Sequence, residues 1–276
     1  MEEKGQIMQQ CKKIAFINGK GGCGKTTSIF HVAGVLSVRG EKTLVIDLDK
    51  QRNTTDTFLM ESLESSDSLE NTMFDYMKGL SRPEDVVRKT YFKTHGNANP
   101  KYCNVDLMPS DMRFEFEGLL ENIDIKESLD QFIMDNGYTW LLVDMPPSNK
   151  VINDICFSQI VDFVIVPFSS DFYSLKGYAS LIDTVDQARE SNANLNIIGI
   201  YLSRYFENCA VDKYIKEKMG MFGNLFMDLC IPARVDIREA VMYGRPISYY
   251  QRKSPSKIAY ENLVNAMEQR IKQFTE

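Results

Sequence analysis

Short apolar runs rich in β-branched residues alternate along the chain with longer stretches of helical periodicity. The runs are Ile14-Ala15-Phe16-Ile17, Thr43-Leu44-Val45-Ile46, Trp140-Leu141-Leu142-Val143, Phe163-Val164-Ile165-Val166 and Ile197-Ile198-Gly199-Ile200-Tyr201-Leu202. Their apolar character is continuous rather than alternating, which predicts strands covered on both faces, as in a parallel sheet between helices. Val105-Asp106-Leu107-Met108, ended by Pro109, is a weaker strand candidate. From Thr26 to Arg39, Ile29, Val32, Ala33 and Leu36 recur at helical spacing, and Gly40 supplies a stop. Ser256 to Phe274 reads as a closing amphipathic helix, with Ile258, Leu263, Met267 and Ile271 along one stripe. Lys93 to Tyr102, with Gly, Asn and Pro, reads as a surface loop. The alternation predicts an α/β fold, a doubly wound, mostly parallel sheet flanked by helices. No linker, repeat or low-complexity tract divides the 276 residues, so one domain is predicted.

Composition narrows the possibilities. No apolar stretch approaches the roughly 18 to 20 residues needed to cross a bilayer. Met1 to Gln10 is polar, without the apolar core of a signal peptide, so a cytoplasmic protein is expected. The closing helix lacks a basic, aromatic tip and is read as packed on the domain, not as a membrane anchor. The cysteines (Cys11, Cys23, Cys103, Cys156, Cys209, Cys230) are irregularly spaced with no C-x-x-C pair, which reads as scattered reduced thiols. With only His31 and His95, a histidine-rich metal centre is excluded; His31 falls in an apolar helical pattern and reads as packing. A net charge of -6 argues against a chain basic all over but leaves room for a local basic patch.

The candidate chemistry begins where the first strand runs into Gly19-Lys20-Gly21-Gly22-Cys23-Gly24-Lys25-Thr26-Thr27. This is G-x-x-x-x-G-K-[ST] between a strand and a helix. Glycines let successive backbone N–H groups turn inward onto phosphate oxygens, and the helix N-terminus adds its positive dipole end. Lys25 would reach the β- and γ-phosphates and the Thr26 hydroxyl would ligate Mg²⁺. Lys20 cannot easily share those phosphates from the same side; on residues alone it could equally be a solvated lysine. Carboxylates are needed at neighbouring strand ends. Asp144 ends the run Trp140 to Val143 before Met145-Pro146-Pro147, a position suited to holding the metal through water. Asp47-Leu48-Asp49 ends the strand before it; alternation would turn Asp47 and Asp49 to one side, with Asp49 placed to orient a water.

Taken together, these segments resemble the ParA/MinD ATPases. Lys20 to Thr27 is similar to their deviant Walker A box, Asp47-Leu48-Asp49-Lys50-Gln51-Arg52-Asn53 to their D-x-D-P-Q-x-N segment, and Asp144-Met145-Pro146-Pro147-Ser148 to their Walker B. Ile231-Pro232 through Arg238-Glu239-Ala240, with Gly244-Arg245-Pro246-Ile247, resembles the nucleotide-base loop and following helix. The likeness runs from about residue 12 to about residue 270 and is nearest to the short ParA partition proteins. It implies a single P-loop ATPase domain over 1–276, with 1–11 as a polar extension. It implies ATP and Mg²⁺ as cofactors, Gly21, Gly22, Cys23, Gly24, Lys25, Thr26, Thr27 and Pro232 as nucleotide contacts, and Thr26, Asp47 and Asp144 around the metal. Lys25 and Asp49 would be catalytic, and Lys20 would cross a homodimer interface to the partner's phosphates, supplying charge in trans. It further implies slow hydrolysis stimulated by a ParB-like centromere-binding partner, non-specific DNA binding, nucleoid association and no membrane. Lys50 and Cys23 depart from the usual proline and valine. Asp236 stands where an arginine important for DNA is often found, leaving Arg234 and Arg238, with Arg252, Lys253 and Lys257 beyond, as candidates. The alternatives are a MinD-like membrane-surface ATPase, a relative serving conjugation or protein cargo, and a metabolic P-loop enzyme.

Overall fold

A computed structural model describes residues 10–61, 69–94, 99–115, 124–147, 149–169, 182–250 and 253–275. His95, Ser148, Arg252 and most of the N-terminal extension lie outside the described residues. In chain order the elements are β1 (Lys12–Phe16), α1 (Lys25–Val38), β2 (Thr43–Asp47), α2 (Asn53–Leu59), α3 (Met73–Met77), α4 (Pro83–Val86), β3 (Arg88–Lys93) and β4 (Pro100–Met108). A 3₁₀ turn, Met112–Glu115, follows β4, and then α5 (Lys126–Asp135), β5 (Trp140–Asp144), α6 (Lys150–Ile155) and β6 (Phe163–Ser169). The remainder is α7 (182–188), β7 (Asn196–Tyr205), α8 (Ala210–Lys218), β8 (Phe226–Pro232), α9 (Val235–Met242), α10 (Ile247–Tyr250) and α11 (Pro255–Thr275).

The strands form one eight-stranded sheet in the order β3-β4-β2-β5-β1-β6-β7-β8. Every pairing is parallel except β3 with β4. The predicted doubly wound architecture is therefore observed. Alternation along β1 divides its side chains between two cores. Ile14 and Phe16 join the layer built on α1 and α11, while Ala15 and Ile17 join the layer built on α3, α5 and α6. Because β1 lies between β5 and β6, the loop after it opens at the switch point of the sheet, outside the carboxyl ends of the strands.

Three sequence expectations are corrected. The segment 93–102 is not all loop: Lys93 closes β3 and Pro100 opens β4, paired with each other across the hairpin. Pro is tolerated there because it is the first residue of its strand. The edge strands β3 and β8 escaped notice because polar residues interrupt them, as the edge of a sheet allows. In α11 the buried stripe is Tyr260, Leu263, Val264, Met267 and Ile271, and Ile258 is 55% exposed. Ile258 lies five positions before Leu263, off the helical repeat, and Tyr260 holds the core position. His31 is buried as read, its Nδ1 accepting the Ile247 backbone N–H at 3.0 Å. All cysteines are unpaired.

Candidate nucleotide site

The phosphate loop joins β1 to α1 through two glycines with left-handed backbone, Gly22 at φ +75° and Gly24 at φ +92°. An L side chain there would be strained, which is why those positions carry glycine. Gly21 differs: its φ is ordinary, and an added Cβ would meet nothing within 4 Å. Among the described residues, none therefore demands glycine at 21. Gly24 is the N-cap of α1 and offers no side-chain cap, and the first turn carries no acid. The first N–H groups of α1 thus remain available to an anion.

Lys25 is 7% exposed, and its Nζ donates to the Asn18 carbonyl at 3.3 Å. Among the described residues no carboxylate lies within ion-pairing distance of it. A buried ammonium with only a carbonyl partner is costly unless an anion arrives. Asn18 braces the entrance, its amide donating to the Pro167 carbonyl at 2.7 Å and its oxygen accepting the Lys20 N–H at 2.9 Å. Lys20 is exposed. Ser203 and Arg204, at the end of β7, hold the outer side of the loop. Ser203 Oγ donates to the Cys23 carbonyl at 2.5 Å, and Arg204 Nη1 donates to the Gly22 carbonyl at 3.0 Å. These two bonds tie the Gly22 and Cys23 carbonyls to the end of β7. Cys23 is buried beneath the loop, and burial pushes its thiol up, so it serves as packing.

Asp144 ends β5 directly beside Asp47 at the end of β2. Its Oδ2 accepts from Thr26 Oγ1 and from Thr54 Oγ1, each at 2.5 Å. Its Oδ1 is buried and has no partner among the described residues. An unpartnered oxygen on a buried carboxylate, beside the Thr26 hydroxyl, fits a divalent cation of the hard, oxygen-seeking kind. Asp47 does not share that opening. Its Oδ1 accepts the Asp49 N–H and its Oδ2 accepts both the N–H and the hydroxyl of Thr55, so it caps α2 with every oxygen engaged. In this structure Asp47 is a hydrogen-bond hub, joining the loop after β2 to the first turn of α2. β2 stops at Asp47, so alternation does not carry on to Asp49. Burial raises the pKa of both adjacent carboxyls; the charge of Asp144 adds to the rise at Asp47, while the Thr26 and Thr54 hydroxyls oppose it at Asp144.

Asp49 is half-buried on the loop after β2, and its Oδ1 accepts the Gln51 N–H at 3.0 Å. Pro232 closes β8 at the same carboxyl edge, where Ala233 N–H bonds to the Tyr205 carbonyl at 2.8 Å. Arg234 and Arg238 are exposed at the N-cap and first turn of α9. Asp236 is 7% exposed and points inward, accepting from Ser256 Oγ at 2.8 Å and pairing with Arg234 at 3.4 Å. It ties α9 to α11 and takes no place on the outer surface. Thr54, Ser110, Ser203 and Arg204 were not anticipated. Thr54 directly follows the segment Asp47 to Asn53, so its hydroxyl was within reach of motif reading. The other three are brought in only by sheet register.

A family model described as an AAA domain matches residues 11–197. The chromosome partitioning protein ParA of Caulobacter vibrioides is 28% identical over 258 residues, covering 91% of each chain. The chain belongs to the ParA/MinD family of P-loop ATPases. Among solved structures, this ParA/MinD-type chain superposes on the cobyrinic acid a,c-diamide synthase of Mycobacterium smegmatis, crystallised with an ATP analogue and magnesium. There the TM-score is 0.76 at 20% identity, over 95% of this chain and 96% of that one. It also superposes on the cell division ATPase MinD of Pyrococcus furiosus, with a TM-score of 0.70 at 22% identity over 94% and 99%. These structural likenesses concern the fold. Among the described residues no helix is long and apolar enough to cross a membrane, and no cluster of His, Cys, Asp and Glu could hold a metal by itself.

Proposed function

We propose that the protein is a partition-type ATPase, an ATP-switched homodimer that hydrolyses Mg-ATP and acts on DNA with a ParB-like, centromere-binding partner. The observation that carries this reading is the meeting, at one sheet edge, of an anion cradle, the buried Lys25, and Asp144 with an open Oδ1 beside Thr26. The loop N–H groups and Lys25 would bind and orient the triphosphate. Thr26 and Asp144 would hold Mg²⁺, which when bound neutralises charge on the β- and γ-phosphates. Asp49 would orient the water whose oxygen bonds to the γ-phosphorus as the bond to the β-phosphate oxygen breaks, yielding ADP and inorganic phosphate. Exposed Lys20 would reach the phosphates of a second copy, so that ATP joins two subunits. Pro232 would lie against the base.

Arg234 and Arg238 would supply DNA contacts, with Lys253 and Lys257 nearby in sequence, placing the ATP dimer on the nucleoid. Such contacts would be made to phosphates, independent of base sequence and weakened by salt. The support is the partition function of a relative aligned over nearly the whole chain and the exposure of both arginines on one turn. Retention on non-specific DNA and on anionic vesicles, with ATP and with ADP at two salt concentrations, tests it. ATP-dependent, salt-sensitive retention on DNA is expected; retention on vesicles alone would overturn the DNA reading.

A further inference from the structure

The loop carrying Asp49 is closed into a ring by a residue from another part of the chain. Asp49 donates its N–H to Asp47 Oδ1 at 3.0 Å, and its carbonyl accepts from Ser110 Oγ at 2.7 Å. Ser110 donates its own N–H to Thr55 Oγ1 at 2.9 Å, and that hydroxyl donates to Asp47 Oδ2 at 2.8 Å. Four residues, Asp47, Asp49, Ser110 and Thr55, thus form a closed circuit in which Asp49 is held at both ends of its own backbone. Ser110 is 1% exposed, so its hydroxyl has no solvent to turn to. The circuit is built by register: β2 and β4 run parallel, with Ile46 beside Met108, so Ser110 leaves the sheet next to the loop that follows β2. Lys50 adds no comparable backbone restraint. A proline at 50 would have confined the backbone of residue 49, and a lysine does not. The ion pair of Lys50 with Glu115, at 3.1 Å between two exposed side chains, is too weak to replace it.

We propose that Ser110 is a positioning residue for hydrolysis, fixing the peptide of Asp49 so that its carboxylate is aimed at the attacking water. This rests on the assignment of Asp49 as the water-orienting group. The Ser110 hydroxyl is committed to the Asp49 carbonyl, so its effect on hydrolysis would pass through Asp49. Its loss removes one of two bonds to the Asp49 carbonyl, the other from Arg52 N–H at 2.8 Å, so the loop loosens without unfolding. Small displacements of a group that must meet a reacting atom lower the rate far more than they lower binding.

The test uses the full chain, comparing single-turnover hydrolysis, Mg-ATP affinity by calorimetry and Tm for the wild type, Asp49→Ala, Ser110→Ala and Ser110→Cys. For Ser110→Ala a roughly tenfold fall in the hydrolytic rate is expected, with affinity within about twofold and Tm nearly unchanged. Ser110→Cys, close in size with a weak donor, should fall between it and the wild type. A wild-type rate in Ser110→Ala while Asp49→Ala is inactive overturns the role of Ser110 and leaves that of Asp49 standing. A wild-type rate in Asp49→Ala removes both. Rate, affinity and Tm falling together in Ser110→Ala would show a structural residue and overturn the proposal. Should Ser110→Ala not fold, Ser110→Cys decides: a slower rate at unchanged affinity supports the positioning role, and a wild-type rate, or a parallel loss of affinity, refutes it.

Discussion

Gly34 lies in the middle of α1, where alanine would ordinarily stabilise a helix by about 1 kcal/mol. Here the opposite sign is expected. A Cβ at Gly34 would stand 2.2 Å from Pro246 Cβ, 2.9 Å from Pro246 Cγ and 2.8 Å from Ser248 Oγ. Carbon atoms in contact rest about 3.5 to 4.0 Å apart, so α1 and the start of α10 must separate by more than about 1 Å. The proline ring cannot rotate out of the way. Overpacking of this kind costs about 1 to 3 kcal/mol. The same separation breaks the Ile247 N–H to His31 bond, now 3.0 Å, and leaves buried polar groups unpaired at a further cost of about 1 to 3 kcal/mol. Subtracting the helix gain leaves Gly34→Ala destabilised by roughly 1 to 5 kcal/mol, and at the midpoint of about 3 kcal/mol, with about 2 to 4 °C per kcal/mol, the Tm should fall by roughly 6 to 12 °C. Thermal and urea unfolding followed by circular dichroism measure it. Gly220→Ala, where a Cβ meets nothing within 4 Å, is the control and should stay within about 0.5 kcal/mol of wild type. Adding Pro246→Gly should recover part of the loss. A Gly34→Ala protein as stable as the wild type, or more so, refutes the reasoning.

Gly21→Ala should leave Tm unchanged, since the added methyl meets no protein atom within 4 Å, and, on the proposed function, should weaken Mg-ATP binding by roughly tenfold in calorimetry; unchanged affinity would show that the position does not face the phosphates. Burial lowers the pKa of His31 from 6.5 to about 3. The unfolded chain therefore takes up a proton that the folded chain refuses, and stability is lost as pH falls from 6.5 towards 3 at up to about 1.4 kcal/mol per pH unit. Between pH 6.5 and 5 the wild type should lose about 2 kcal/mol more than His31→Gln in urea titrations, and equal losses would contradict a buried neutral imidazole. Lys20→Ala should retain ATP binding as a monomer and fail to form ATP-dependent dimers in analytical ultracentrifugation, whereas dimers of wild-type affinity would exclude a role for Lys20 across the interface.

Some of this protein was written in contiguous stretches. The phosphate loop, its two left-handed glycines, Lys25 and Thr26 all lie between one strand and one helix, so local spacing was sufficient to place them. Asp144 and Asp47 were visible as strand ends because each closes a wholly apolar run. The edge strands β3 and β8 were not visible, since a strand exposed on one side need not be continuously apolar. Ile258 passed for a core residue because composition cannot tell which side of a helix meets the sheet. The hydrogen bonds of Asp47 were not legible for a related reason: Thr55 and Asp49 reach its oxygens only once α2 folds back over the strand end. Ser203, Arg204 and Ser110 act through partners about 60 to 180 positions away along the chain. Such contacts depend on which strands pair and in what register, a decision taken by the packing of two cores on one twisted sheet, and no short stretch of residues contains it.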